Sequence, residues 1–232
     1  MLVSANIHLN YSNQIEDHFC NGQVIKNNKS GGGMGQKEIS LPTREKILET
    51  SLKLFSTKGF LGATTKEIAR EAGVAEITLF RHFPSKENLF EEVLNTYSFL
   101  PVLKGLLPEI AAMQYEKALT VIAKKFLDTL DSRKEMIQIM HSEAKRYPEK
   151  IHKIYHGFIE ELIKTLASYF HELREKGVVR EFDAETAARA FLGMFFSFFN
   201  AREFHMFKKY KGSDADKIIP EFVSIFARGT LK

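Results

Sequence analysis

The residues best placed for chemistry lie between Thr64 and Phe83. Two short helical segments are joined there by about three residues that include Gly73. Two such helices around a glycine turn form a helix-turn-helix, whose second helix enters the DNA major groove. Ala69 is small where the first helix must approach the second. Gly73, four residues on, can adopt the positive φ of a tight turn. Ile68, Val74 and Leu79 are expected to face a shared core, which leaves Ala75, Glu76, Ile77, Thr78, Arg81 and His82 for the groove. Other chemistries lack support. There is no glycine-rich phosphate loop, nucleophile elbow or metal-ligand cluster, which speaks against an enzyme, and no cofactor or metal is expected. His152 and His156 have the i, i+4 spacing of two zinc ligands, but no third ligand stands near and both fall on the polar face of their helix.

The elements that position these residues read as helices. Pro42 suits a helix start. Ile47, Leu48, Leu52, Leu54 and Phe55 then recur at helical intervals until Gly59, predicting a helix over about 43–58. Thr65 is expected to cap the first motif helix, which Gly73 ends. The second runs from about Glu76 to His82. Ser85 caps a fourth helix that buries Leu89, Phe90, Val93, Leu94 and Tyr97. Pro101, Gly105 and Pro108 interrupt the periodicity and place a domain boundary near 100–112. About five longer helices follow, the clearest a continuous apolar stripe from Ile151 to Leu173. The expected fold is all-α: an amino-terminal three-helix DNA-binding domain with the helix-turn-helix (41–100), and a larger helical domain for ligand binding and dimerisation (101–232).

Residues 64–74 (TTKEIAREAGV) and 78–87 (TLFRHFPSKE) resemble the amino-terminal domain of TetR-type regulators, over a stretch from about Arg44 to Leu94. The remainder is similar to that family only in its helical plan. The resemblance implies a sequence-specific, DNA-binding transcriptional regulator, a repressor that a small molecule releases from its operator. It places Thr65, His82 and Lys86 against phosphate, with Thr65 at a helix N-terminus and Lys86 adding a full charge, and counts Thr64 and Lys66 among the DNA-binding residues. Arg81 can reach phosphate or a guanine edge, and Ile77 and Thr78 a thymine methyl. Phe80 stands where the family has tyrosine, so its ring is left to pack or to touch sugar. Glu76, near the start of the recognition helix, either favours the helix dipole or reads a cytosine amino group.

Bulk charge adds nothing to this reading. The formal net charge is +4, yet residues 37–100 carry nine Lys/Arg and nine Asp/Glu. Thirteen of the twenty phenylalanines lie beyond residue 100, and Phe126, Met136, Met140, Tyr155, Phe158, Phe195 and Phe199 are expected to line a pocket for a hydrophobic or amphipathic effector. Residues 186–199 are apolar on every side. Phe191, Met194 and Phe198, with Phe222, Ile225 and Phe226, are therefore assigned to a homodimer interface, which two recognition helices in neighbouring grooves require. Residues 1–40 read as a disordered tail, with translation beginning either at Met1 or at Met34 after the glycine run. The single cysteine, Cys20, and the absence of any export signal or membrane span point to the cytoplasm.

Overall fold

The computed structural model describes residues 42–203 and 215–232. The expectations for the amino-terminal tail, for Met34 and for Cys20 fall outside the described residues. Ten α-helices are described: α1 (Thr43–Gly62), α2 (Thr65–Glu71), α3 (Glu76–His82), α4 (Lys86–Tyr97), α5 (Phe99–Ile110), α6 (Tyr115–Ser132), α7 (Lys134–Glu143), α8 (Glu149–Glu175), α9 (Ala184–Glu203) and α10 (Ala215–Thr230). A single 3-10 turn, Ala144–Arg146, joins α7 to the segment before α8. The β-structure among the described residues is one isolated antiparallel bridge, Val179 to Leu231. None of the described helices is long and apolar enough to cross a membrane.

The first helix follows its periodicity. Ile47, Leu48, Leu52, Leu54 and Phe55 are buried, and the helical backbone breaks at Gly59, whose φ is +73°. One further turn to Gly62 brings Phe60 inward, where its ring meets Phe55, Phe90 and Tyr147. With Ile68, Leu79, Phe83, Leu89 and Val93 these side chains form one core. That core also takes in Met136, Tyr147 and Ile151 from α7 and the start of α8, so the amino-terminal helices are closed by residues far along the chain.

The joint between the helices differs from expectation. Pro101 and Pro108 do not break the chain: α5 runs through both, and the turn occurs at Ser98. Ser98 ends α4 and caps α5, its Oγ accepting from the Leu100 N–H at 3.3 Å. Pro101 sits in the first turn of α5, where helix N–H groups have no intrahelical partner to lose.

A second core fills the rest of the molecule, where α8 packs on α9 and α6 on α10. The end of α10 is tied to α6 by a hydrogen bond between Tyr115 Oη and Thr230 Oγ1, 2.9 Å long.

Candidate functional site

The helix-turn-helix is built as its residue types require. Thr64 is extended (φ −106°), and its Oγ1 accepts from the Glu67 N–H at 3.2 Å, so Thr64 rather than Thr65 is the cap. Adjacent identical hydroxyls hid that distinction in the sequence. Thr65 is the first helical residue, and its hydroxyl donates to Glu76 Oε1 at 2.7 Å. This bond ties the first turn of α2 to the first turn of α3. It corrects the reading of Thr65 as a hydroxyl aimed at phosphate, and it gives Glu76 a framework role beside the helix dipole. Gly73 takes φ +69°, as the turn demands, while Val74 N–H bonds back to the Ala69 carbonyl at 3.0 Å. Ile68, Ala69 and Leu79 are buried as expected, and Val74 is half-buried.

Leu79 and Phe83 anchor α3 from beneath, with the Arg44 guanidinium 5.3 Å above the Phe83 ring. The opposite face carries Ala75, Ile77, Phe80, Arg81 and His82, all exposed, with Thr78 and Glu76 half-buried beside them. Ile77 is 66% and Phe80 42% exposed, a large apolar display for so short a helix. Beside two basic groups, it forms a surface able to meet both base methyls and phosphates. Lys66 and Thr64 flank it, exposed. Lys86 is placed differently: its ammonium lies over the Phe60 ring at 4.4 Å instead of extending into solvent. Burial lowers its pKa from the ordinary lysine value, while the Glu143 and Glu87 charges pull the other way.

Glu143 went unnoticed in the sequence. It is 6% exposed, at the end of α7, and its Oε2 accepts from the Leu61 N–H at 3.4 Å, against the break in α1. No periodicity marks a carboxylate that finds its partner eighty-two residues away; Gly59 was the sole visible half of the contact.

A cavity of about 540 Å³ opens between α4, α6, α7, α8 and α9. Phe126, Met136, Met140, Tyr155 and Phe158 line it, as expected. Phe195 and Phe199 do not: both are fully buried in the second core, Phe195 between Phe191 and Phe222 at 5.1 and 5.5 Å. Helical phase is the reason. Arg189, Leu192, Gly193 and Phe196 form the face of α9 that meets the cavity, one step around from Phe191, Phe195 and Phe199. His152 and His156 also line the cavity, their rings stacked 6.5 Å apart; His156 is exposed, as expected of a solvated face, while His152 is half-buried. Among the described residues no group of three or more metal-ligating side chains occurs.

The apolar helices divide similarly. Phe191, Phe198 and Phe226 are buried within the single chain, where Phe226 meets Phe191 at 5.0 Å and Phe170 at 5.7 Å. They are core residues, contrary to their assignment to an interface. Met194 and Phe222 are half-buried and Ile225 is 63% exposed, so these three remain at the surface. The outward face of α9 is mostly small: Ala190, Met194, Ser197 and Ala201.

Comparison with known proteins agrees with this arrangement. Residues 47–93 match the family model described as bacterial regulatory proteins, tetR family, and residues 117–229 match that of the AefR-like transcriptional repressor C-terminal domain. The chain is 30% identical over 168 residues to MftR of Mycobacterium tuberculosis, named as a mycofactocin biosynthesis transcriptional regulator, covering 69% of this chain and 79% of that one. The chain belongs to the TetR family. Like its relatives, this TetR-family protein is a DNA-binding transcriptional regulator. It is 28% identical over 188 residues to the HTH-type transcriptional regulator YvkB of Bacillus subtilis, covering 81% of this chain and 97% of YvkB. Its fold is similar to that of a solved TetR-family regulator from Mesorhizobium loti, with TM-score 0.67 and 23% identity over 82% of this chain and 97% of that one.

Proposed function

We propose that this TetR-family protein is a homodimeric repressor that leaves its operator when an amphipathic small molecule fills the cavity. In this reading Ile77 and Thr78 meet base edges, while Arg81, His82 and Lys66 meet phosphates and Lys86 joins them by swinging its ammonium off the Phe60 ring, with Thr64, Thr65, Ala75 and Phe80 packing against the DNA backbone around them. The repressor sense is supported by the likeness of residues 117–229 to the AefR-like repressor domain.

One observation carries the ligand dependence: α7 belongs to both sites. Met136, Ile137 and Met140 line the cavity, while the same helix packs along α1 and places Met136 in the core of the DNA-binding helices. A molecule that fills the cavity therefore cannot shift α7 without shifting the body that carries α3. Occupancy selects one spacing of the two recognition helices, which is a population shift driven by differential affinity. The dimer that presents two such helices is supported by the apolar surface of Met194, Phe222 and Ile225 on α9 and α10. The protein acts by binding alone, without catalysis, and works in the cytoplasm, where its DNA lies.

The test is fluorescence anisotropy of the full chain with DNA from upstream of its own gene. We expect sequence-preferring binding that weakens steeply with salt, since each neutralised phosphate releases condensed counterion. Equal affinity for unrelated DNA at moderate salt would refute the reading.

A further inference from the structure

We propose that the cavity takes an anionic amphiphile: an apolar body with one acidic head group, a carboxylate in the simplest case. The inference rests on the reading of this cavity as the effector site and adds the charge of the ligand. Every charged side chain that lines the cavity among the described residues is basic. Arg133 stands on the side of α6 and Arg189 on the side of α9; His141, His152 and His156 add three ring nitrogen pairs, and among the described residues no Asp or Glu lines the wall. The remaining wall is aliphatic and aromatic, with Leu162, Ile159, Phe126 and Phe158 among its members. An apolar chamber whose fixed charges share one sign favours a ligand of the opposite sign. In such surroundings a charged partner is worth more than in water.

Arg133 is held for the task. Its Nε donates to the Tyr97 carbonyl at 3.1 Å and its Nη1 to the Ser132 carbonyl at 3.1 Å, and its guanidinium lies 5.6 Å from the Tyr97 ring centre. A planar, oriented guanidinium is suited to receive a carboxylate. Arg189, on the α9 wall, is exposed and forms no ion pair among the described residues, which places a second cation at a solvent-facing part of the lining. Burial pushes the Tyr97 hydroxyl up to about 12 and raises that of Tyr155 as well, so both phenols in the wall stay neutral and can donate. The anchor also sits on the joint between the two cores. Tyr97 is the last residue of α4, so an acid drawn to Arg133 meets the guanidinium that holds the end of the helix entering the DNA-binding core. A volume of about 540 Å³ suits one medium-chain amphiphile.

The test is isothermal titration of the full-length protein with three probes of equal tail: dodecanoate, dodecan-1-ol and dodecyltrimethylammonium, each below its micellar concentration. Operator release is followed in parallel by anisotropy. We expect dodecanoate to bind at least tenfold more tightly than either other probe. Arg189→Gln and Arg133→Gln should each weaken dodecanoate at least fivefold while leaving dodecan-1-ol within twofold. Arg189 is exposed, so its variant keeps the test open should Arg133→Gln fail to fold. Equal binding of all three probes, or a preference for the cation, overturns the charge assignment and leaves the effector cavity standing. Binding of none of them overturns both.

Discussion

Gly59→Ala tests how the two cores are fastened together. Two contributions follow from the structure. At φ +73° and ψ 173°, a combination adopted essentially by glycine alone, an alanine costs about 1 to 3 kcal/mol of backbone strain. In addition, a Cβ there would fall inside contact distance of the Glu143 carboxyl carbon and both its oxygens. Those atoms end a flexible side chain, so steric overlap alone is cheap. Moving them, however, takes the carboxylate away from the Leu61 N–H, a charged hydrogen bond worth about 1.5 kcal/mol. The total expected loss is about 2.5 to 4.5 kcal/mol. In a Glu143→Ala background the second contribution is already gone, and Gly59→Ala should cost only the strain of about 1 to 3 kcal/mol. The assay is urea denaturation of all four proteins by circular dichroism, at one protomer concentration because a dimer's stability depends on it. A coupling energy of about 1.5 kcal/mol is expected. Additivity within about 0.5 kcal/mol would show that Glu143 and the α1 break do not interact, and the reasoning fails.

Three further outcomes are expected. Lys86→Ala should weaken binding to all DNA sequences alike and lower the salt slope by about 1, whereas Thr78→Ala should change preference at particular base pairs by about 1 kcal/mol; anisotropy against a panel of single-base variants separates the two, and identical effects would reverse the assignment of phosphate and base contacts. Ile225→Glu should turn the dimer into monomer in sedimentation velocity and abolish cooperative operator binding, while an unchanged sedimentation coefficient would place the interface elsewhere. Asp183 accepts from the Thr186 N–H at 2.7 Å, and this side-chain and backbone bonding holds its pKa below the ordinary aspartate value. A depressed folded pKa gives stability that is complete above about pH 4 and lost as the pH falls through the lowered value. Asp183→Ala should therefore lower Tm at pH 7, with the difference narrowing steadily toward pH 3; a difference independent of pH would mean the carboxylate charge plays no part.

Much of the DNA-binding unit was legible because it is local. Gly73 announces its turn, Ser85 its cap and Gly59 its break, each through backbone chemistry that acts within a few residues. Faces were harder. Residues 186–199 are apolar throughout, and composition alone does not rank Phe191, Phe195 and Phe199 as interior against Phe196 at the cavity. Once the neighbours of α9 are known, helical phase assigns each one. Pro101 misled because a proline in a first turn breaks nothing, and Pro108 lies inside α5 without ending it; the start of α5 is set by Ser98, whose cap follows α4 with no loop between them to mark it. The histidines of α8 read as a polar face because the hollow beside them is made by other helices.

The single-residue joint at Ser98 bears on modular engineering. Exchanging DNA-binding heads between regulators is a natural way to rewire a sensor, and the prolines invite a cut between 100 and 112. Such a cut would split α5. A cut at Ser98 preserves both helices, but the transplanted head arrives without the residues that close it: Met136, Glu143, Tyr147 and Ile151 remain in the recipient. Grafting specificity onto this scaffold therefore means changing the outward residues of α3 in place, or carrying those four positions across with the head.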